Sequence, residues 1–102
     1  MANKNGPGKE DVVRELRKAF DWRINGGMAA QGIEEAGEQW EQFRELDPQR
    51  RGRNDGYTDS FDIPNREPAG MGSYQLDFTK TRNGRAVSRR TLTVYPNRVY
   101  VL

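Results

Sequence analysis

Histidine and cysteine are both missing from this 102-residue chain, and these absences exclude more chemistry than any motif in it suggests. Without cysteine there is no disulfide framework, no thiol nucleophile and no zinc site built on soft ligands. Without histidine, no imidazole can act as a general base or metal ligand. Large apolar side chains are scarce too. Val, Ile, Leu and Phe total 18 of 102, just under the level at which disorder competes with folding. The chain has no apolar stretch of signal-peptide length and no run approaching a membrane span, so a cytoplasmic protein without membrane contact is expected. An excess of one charge is also lacking: 17 basic and 15 acidic residues leave a net +2, too little to hold the chain open by self-repulsion.

What apolar content there is falls in regular patterns. From Lys9 to Ile24, the residues Val12, Val13, Leu16, Ala19, Phe20 and Ile24 recur at spacings of three and four, which predicts an amphipathic helix. Asn25-Gly26-Gly27 supplies its stop, since Gly accepts the left-handed conformation that commonly ends helices. A second helix is predicted from Met28 to Leu46, with Ala29, Ile33, Ala36, Trp40 and Phe43 on one side and Asp47-Pro48 closing it, because the residue before proline is pushed out of the helical region. So short a connection predicts antiparallel neighbours.

Residues 47–72 are rich in Gly, Pro, Asn, Asp and Arg and predict a long polar loop, either functional or disordered, with a short edge strand near Phe61 to Ile63. Beyond it, Tyr74, Leu76 and Phe78 alternate with polar residues, Arg82-Asn83-Gly84 turns the chain, and Leu92 and Val94 resume the alternation. A two-residue turn at Asn83-Gly84 would set Phe78 against Arg89 and Leu92 against Gln75, mixing apolar and polar residues on each face. A three-residue loop ending in a left-handed Gly84 avoids this, pairing Tyr74 with Leu92, Phe78 with Ser88 and Asp77 with Arg89, although Arg90 then lies beside Leu76. After a second turn at Tyr95-Pro96-Asn97-Arg98, Val99 and Val101 return opposite Val94 and Leu92.

The expected fold is therefore α+β: two N-terminal antiparallel helices packed on one face of a C-terminal antiparallel meander of three to four strands. Residues 1–8 are expected to be a flexible N-terminus and 9–102 one domain, neither half having enough apolar surface to stand alone. The inner face of the meander is expected to comprise Tyr74, Leu76, Phe78, Leu92, Val94, Val99 and Val101. Because Leu102 lies inside the last strand pattern, truncation there should be costly.

Charge is unevenly divided. Residues 1–48 hold 7 basic and 10 acidic side chains, and residues 49–102 hold 10 basic and 5 acidic. On the second helix, Glu34, Glu38, Glu41 and Glu45 form a stripe opposite the apolar side, with Glu41 placed to pair with Arg44. The stripe is either a solvated face, a contact surface for a basic partner, or a salt link to the chain's own arginines. The basic half centres on Lys80, Arg82, Arg85, Arg89, Arg90 and Arg98, preceded by Arg50, Arg51 and Arg53. In the preferred register Arg85, Arg89, Arg98, Tyr95 and Tyr100 share the outer face, where arginine can meet phosphate and tyrosine can stack on bases. Asp77 then neutralises Arg89, and many antiparallel sheets simply show such residues to water. A winged-helix reading fits poorly, since the helix that would enter the major groove carries the glutamate stripe.

Catalytic and metal motifs fail on inspection. Gly26-Gly27 and Gly70-Met71-Gly72 lack the Lys-Ser/Thr of a phosphate loop, and Gly6-Pro7-Gly8 precedes no strand-to-helix turn. Aligning Gly56 of Asn54-Asp55-Gly56 with the invariant glycine of a calcium loop puts Arg51 and Arg53 at ligand positions. Asp77-Phe78-Thr79-Lys80 misses the metal-nuclease spacing by one residue. Trp40 belongs to a core stripe, whereas Trp22 lies off the first helix's stripe, as an interface anchor or a cap on the sheet edge.

The leading expectation is a non-enzymatic binding module, with no cofactor and no metal, acting on a protein or nucleoprotein partner. Small phage or mobile-element accessory and inhibitor proteins represent this kind. Its candidate surfaces are Glu34, Glu38, Glu41 and Glu45 on the helix, and Arg82, Arg85, Arg89, Tyr95, Arg98 and Tyr100 on the sheet. The first alternative is nucleic-acid binding by the basic sheet face. The second is a His-free ribonuclease toxin using Lys, Arg, Tyr and carboxylates on a sheet, a fold-level analogy. A monomer and a symmetric homodimer both fit.

Overall fold

A computed structural model describes residues 6–20, 30–46, 56–64 and 72–102. Two helices, α1 (Lys9–Ala19) and α2 (Gln31–Glu45), precede four strands, β1 (Tyr57–Asp62), β2 (Tyr74–Arg82), β3 (Arg85–Tyr95) and β4 (Arg98–Val101). The strands form one antiparallel sheet in the order β1-β2-β3-β4. Among the described residues, no helix is long and apolar enough to cross a membrane.

The first helix starts at Lys9, as its pattern predicts, and is described to Ala19, with Phe20 capping it. Asp11 accepts a hydrogen bond from the Gly8 backbone N–H at 2.8 Å, satisfying a donor that a helix N-terminus would otherwise leave without an intrahelical partner. The expected extension to Ile24, the Asn25-Gly26-Gly27 stop, Trp22, and Met28 and Ala29 of the second pattern lie outside the described residues. Of the expected flexible N-terminus, Gly6 to Gly8 are described: the Pro7 carbonyl accepts the Trp40 indole N–H at 2.9 Å, and Gly6 lies against β1 at Asp59.

The two helices run antiparallel. Lys9 and Val13 pack on Gly37, where an added Cβ would come 2.9 Å from the Lys9 Cγ, while Arg17 reaches Glu34 further along. Their facing stripes close the core: Val12, Leu16 and Phe20 with Ile33, Ala36, Trp40 and Phe43, over Tyr74, Leu76 and Phe78 of β2 and Leu92 and Val94 of β3. Trp40 sits at its centre, edge-on to Phe61 at 5.5 Å and Phe78 at 5.0 Å between ring centroids. Phe20 meets Tyr74 in the same manner at 4.7 Å, and the Tyr74 hydroxyl donates to the Ala19 carbonyl. Burial of these aromatic rings stabilises the fold by roughly 1.5–3 kcal/mol each.

Three expectations about the sheet need correction. The edge strand begins at Tyr57 and runs to Asp62, longer and earlier than Phe61 to Ile63. Its inward residues Tyr57, Asp59 and Phe61 lie opposite Arg82, Lys80 and Phe78, so its polar positions find partners on β2. The second correction is the β2–β3 register. The observed pairs are Tyr74 with Val94, Leu76 with Leu92, Phe78 with Arg90 and Asp77 with Thr91, two residues from the expected pairing. Asn83 and Gly84 have φ of 54° and 77° and form a two-residue turn between Arg82 and Arg85, not the expected three-residue loop. A bulge then absorbs Val87, since Thr81 faces Ala86 while Lys80 faces Ser88. One extra residue restores apolar matching without lengthening the turn, a solution that an uninterrupted ladder excludes. Arg90 is accounted for as well: it faces Phe78 but extends to Gln39 on α2 at 2.9 Å, its guanidinium 6.0 Å from the Phe43 ring.

Thirdly, Val101 pairs with Leu92, and Val99 with Val94, as expected, yet Val101 is half exposed at the sheet edge rather than part of the core. Leu102 is held by a backbone bond to the Thr91 carbonyl at 2.8 Å.

Candidate contact surfaces

The basic half of the sequence does not form one surface. Lys80 alternates inward on β2 and is fully buried. Its ammonium lies 2.8 Å from the Asp59 carboxylate and 3.2 Å from the Arg44 carbonyl, with the Phe43 and Tyr57 rings 5.2 and 5.8 Å away. These groups replace the water that a buried ammonium loses. Arg44 turns toward the same carboxylate, its Nε 3.9 Å from Asp59, rather than forming the ion pair expected with Glu41. Asp59 thus gathers the Lys80 and Arg44 cations beneath the helices.

Arg82 continues the inward side and stacks its guanidinium 5.3 Å from the Tyr57 ring centroid. Arg85 lies directly opposite Arg82, hence on the same side of the sheet. The bulge at Val87 is the physical reason: one added residue reverses the alternation, so Arg85 and Arg89 occupy opposite faces rather than sharing the outer one. Arg89 stands opposite Thr79, not Asp77, and Asp77 instead accepts from Gln75 at 2.9 Å.

Of the six basic residues in the meander, Arg89 and Arg98 remain on the face turned away from the helices. They share it with exposed Asp62 and half-buried Asp77, so the charges of the described residues on this face balance. Threonine and serine fill much of the rest: Thr58, Ser60, Thr79, Thr81, Thr91 and Thr93 alternate outward on the three longer strands. At the β3–β4 end, Tyr95 and Tyr100 meet edge to face at 5.9 Å, and Arg98 donates to the Tyr100 hydroxyl at 3.0 Å. That bond first, and the electrostatic effect of Tyr100 next, raise the pKa of Arg98 above its already high ordinary value.

On the opposite side of the molecule, Glu34, Glu38, Glu41 and Glu45 all project from α2 into solvent, as the helical period requires. Glu34 has Arg17 of α1 at 3.7 Å. Among the described residues Glu38, Glu41 and Glu45 have no ion pair, so the stripe keeps most of its charge.

Two groups emerge that sequence spacing alone did not assemble. The Lys80–Asp59–Arg44 cluster combines three elements far apart in the chain; its one sequence signal is a lysine at an inward position of β2. Gly32 is the other. A Cβ there would lie 2.1 Å from the Tyr95 carbonyl oxygen and 2.5 Å from the Arg98 nitrogen, and its N–H donates to the Pro96 carbonyl at 3.0 Å. The first turn of α2 therefore rests directly on the β3–β4 turn that carries the tyrosine–arginine cluster.

Comparison with known proteins finds no matching family model, no similar curated protein and no similar solved structure.

Proposed function

We propose that this protein is a non-enzymatic binding module that acts through contacts with a protein or nucleoprotein partner. The observation that carries this reading is the one-sided sheet. Both helices pack on one face, leaving the other with Arg89, Arg98, Tyr95 and Tyr100 among hydroxyl side chains. Tyrosine and arginine are the residue types that most often anchor interfaces, because each offers wide contact area and a directional polar tip. Here Gly32 and the β3–β4 turn hold the cluster in place, which lowers the ordering cost of binding. The acidic face of α2 offers a second surface, suited to a basic partner.

The balanced charge of the described residues on the sheet face favours a protein contact over a phosphate backbone, which would need several uncompensated cations. An accessory or inhibitory role, of the kind small phage and mobile-element proteins play, is the setting this reading expects.

Affinity capture from the native host, with and without nuclease, tests it through surface variants. A protein partner that survives nuclease, is lost with Arg89→Glu plus Tyr95→Ala, and leaves the melting curve unchanged supports the sheet surface. Loss with Glu38→Lys plus Glu41→Lys instead moves the contact to α2. Binding that disappears with nuclease and falls steeply with salt replaces the reading with direct nucleic-acid binding. Ribonuclease activity of the purified chain would overturn it.

A further inference from the structure

The free edge of β4 is built to pair with itself. Leu102 N–H bonds to the Thr91 carbonyl, so in an antiparallel ladder the alternate residues Tyr100 and Arg98 turn their backbone groups toward β3, opposite Thr93 and Tyr95. Val99 and Val101 lie between these positions. Their N–H and C=O groups point away from β3, and β4 is the outermost strand on that side. Apolar exposure gathers at the same place. Tyr100 is 49% exposed, Val101 50% and Leu102 77%, three of the five large hydrophobic residues exposed among those described. The opposite margin, β1, already has Gly6 lying against it at Asp59.

From this geometry we propose that the edge is a homodimer interface, the occupant being β4 of a second copy, antiparallel about a twofold axis through Tyr100. The spacing makes a second copy a matching partner. With the axis at Tyr100, Val99 of each copy faces Val101 of the other, and both residues present outward N–H and C=O groups, giving four backbone hydrogen bonds. An axis midway between two residues brings one copy's outward groups against the other's inward-bonded ones, and an axis at Val99 or Val101 sets that residue against itself, with two backbone hydrogen bonds inside the strand instead of four. The side chains agree: Val99 meets Val101 on the helix side, covering the exposed valine, and Tyr100 meets Tyr100 on the outer face. Arg98 falls opposite Leu102, so no like charges are directly opposed. The two Arg98 residues end four positions apart along the ladder, about 14 Å, which exceeds the screening length of roughly 8–10 Å at moderate salt. Eight strands then form one continuous sheet, with both tyrosine–arginine clusters flanking the axis. This inference stands apart from the partner reading, since it rests on the outer edge of β4 rather than on the face of the sheet.

Two measurements on the 102-residue chain test it. Sedimentation equilibrium should show a concentration-dependent dimer, and Val101→Pro should weaken association by about a hundredfold, because it removes one outward N–H from each copy at about tenfold per bond. The proline spares the β3 ladder, since that N–H faces away from it; an unchanged far-UV spectrum checks the fold. Tyr100→Cys, in a chain that has no other cysteine, should oxidise to a covalent dimer, whereas Thr58→Cys on β1 should not. A wild-type chain that stays monomeric at every attainable concentration overturns the proposal. So does a dimer that Val101→Pro leaves intact, or equal cross-linking at both cysteine positions.

Discussion

The Lys80 ammonium lies 2.8 Å from the Asp59 carboxylate with both side chains wholly buried, which adds a buried charged link between β1 and β2 to the backbone ladder that joins them. The two residues are directly opposite across the β1–β2 ladder. A slip of one residue would carry Asp59 to the outer face and leave Lys80 buried without its counter-ion, so the pair also fixes which face β1 buries.

Removing one partner should therefore cost far more than removing both. Lys80→Met takes the ammonium at 2.8 Å away from a buried carboxylate, and Asp59→Leu takes the carboxylate away from a buried ammonium; each should destabilise by about 3–5 kcal/mol. The double variant, which buries no uncompensated lysine or aspartate, should recover much of that loss. Urea denaturation of the four chains of this cycle measures the coupling, and additive losses would show that the pair contributes no interaction of its own.

Gly32→Ala should loosen the seat of α2 on the β3–β4 turn. The methyl would have to occupy space 2.1 Å from the Tyr95 carbonyl oxygen and 2.6 Å from that of Arg98, both backbone atoms that cannot rotate aside. A loss of about 1–3 kcal/mol is expected from this overpacking, together with chemical-shift changes at Tyr95 and Arg98. Ala at Gly84 makes a useful contrast, as its Cβ meets nothing within 4 Å.

Gly84→Ala should nonetheless cost about 1–2 kcal/mol, entirely through the backbone, since φ at this position is 77°. Thermal unfolding measures the loss. The hydrogen-bond pattern across β2 and β3 should remain, because the bulge at Val87 and the matched apolar pairs hold the register independently of the turn.

Acid should weaken the start of α1 by a route that can be isolated. The Gly8 N–H, and secondly Arg14, hold the Asp11 carboxyl below its ordinary pKa of 3.8. A depressed folded value means that the carboxylate adds its full stability above about pH 3.8, and that this share disappears as pH falls through the folded value. Asp11→Asn should therefore melt at a lower temperature than wild type near neutrality, with the difference closing under strongly acid conditions. A constant difference across that range would remove the titration of Asp11 as its cause.

Local periodicity made the helices and the general character of the sheet legible. The stripes through Val12, Leu16 and Phe20 and through Ile33, Ala36, Trp40 and Phe43 enter the core as their spacing requires, and the β3–β4 register follows from a short turn with no interruption. The β2–β3 register did not follow, because placing a bulge requires weighing the whole ladder. That one residue also redistributes the arginines: Arg85 leaves the outer face, and the described charges there, Arg89 and Arg98 with Asp62 and Asp77, balance.

The sequence by itself determined the α+β class, the two amphipathic helices and the outward glutamate stripe, because a periodic pattern of 3.6 or 2 residues needs only its immediate neighbours to choose a face. Tertiary structure alone decided the length of β1, the burial of Lys80 and the faces of Arg82 and Arg85. Each depends on partners distant in the chain, and a charge enters the interior only where the fold brings an opposite charge and hydrogen-bond acceptors to replace water.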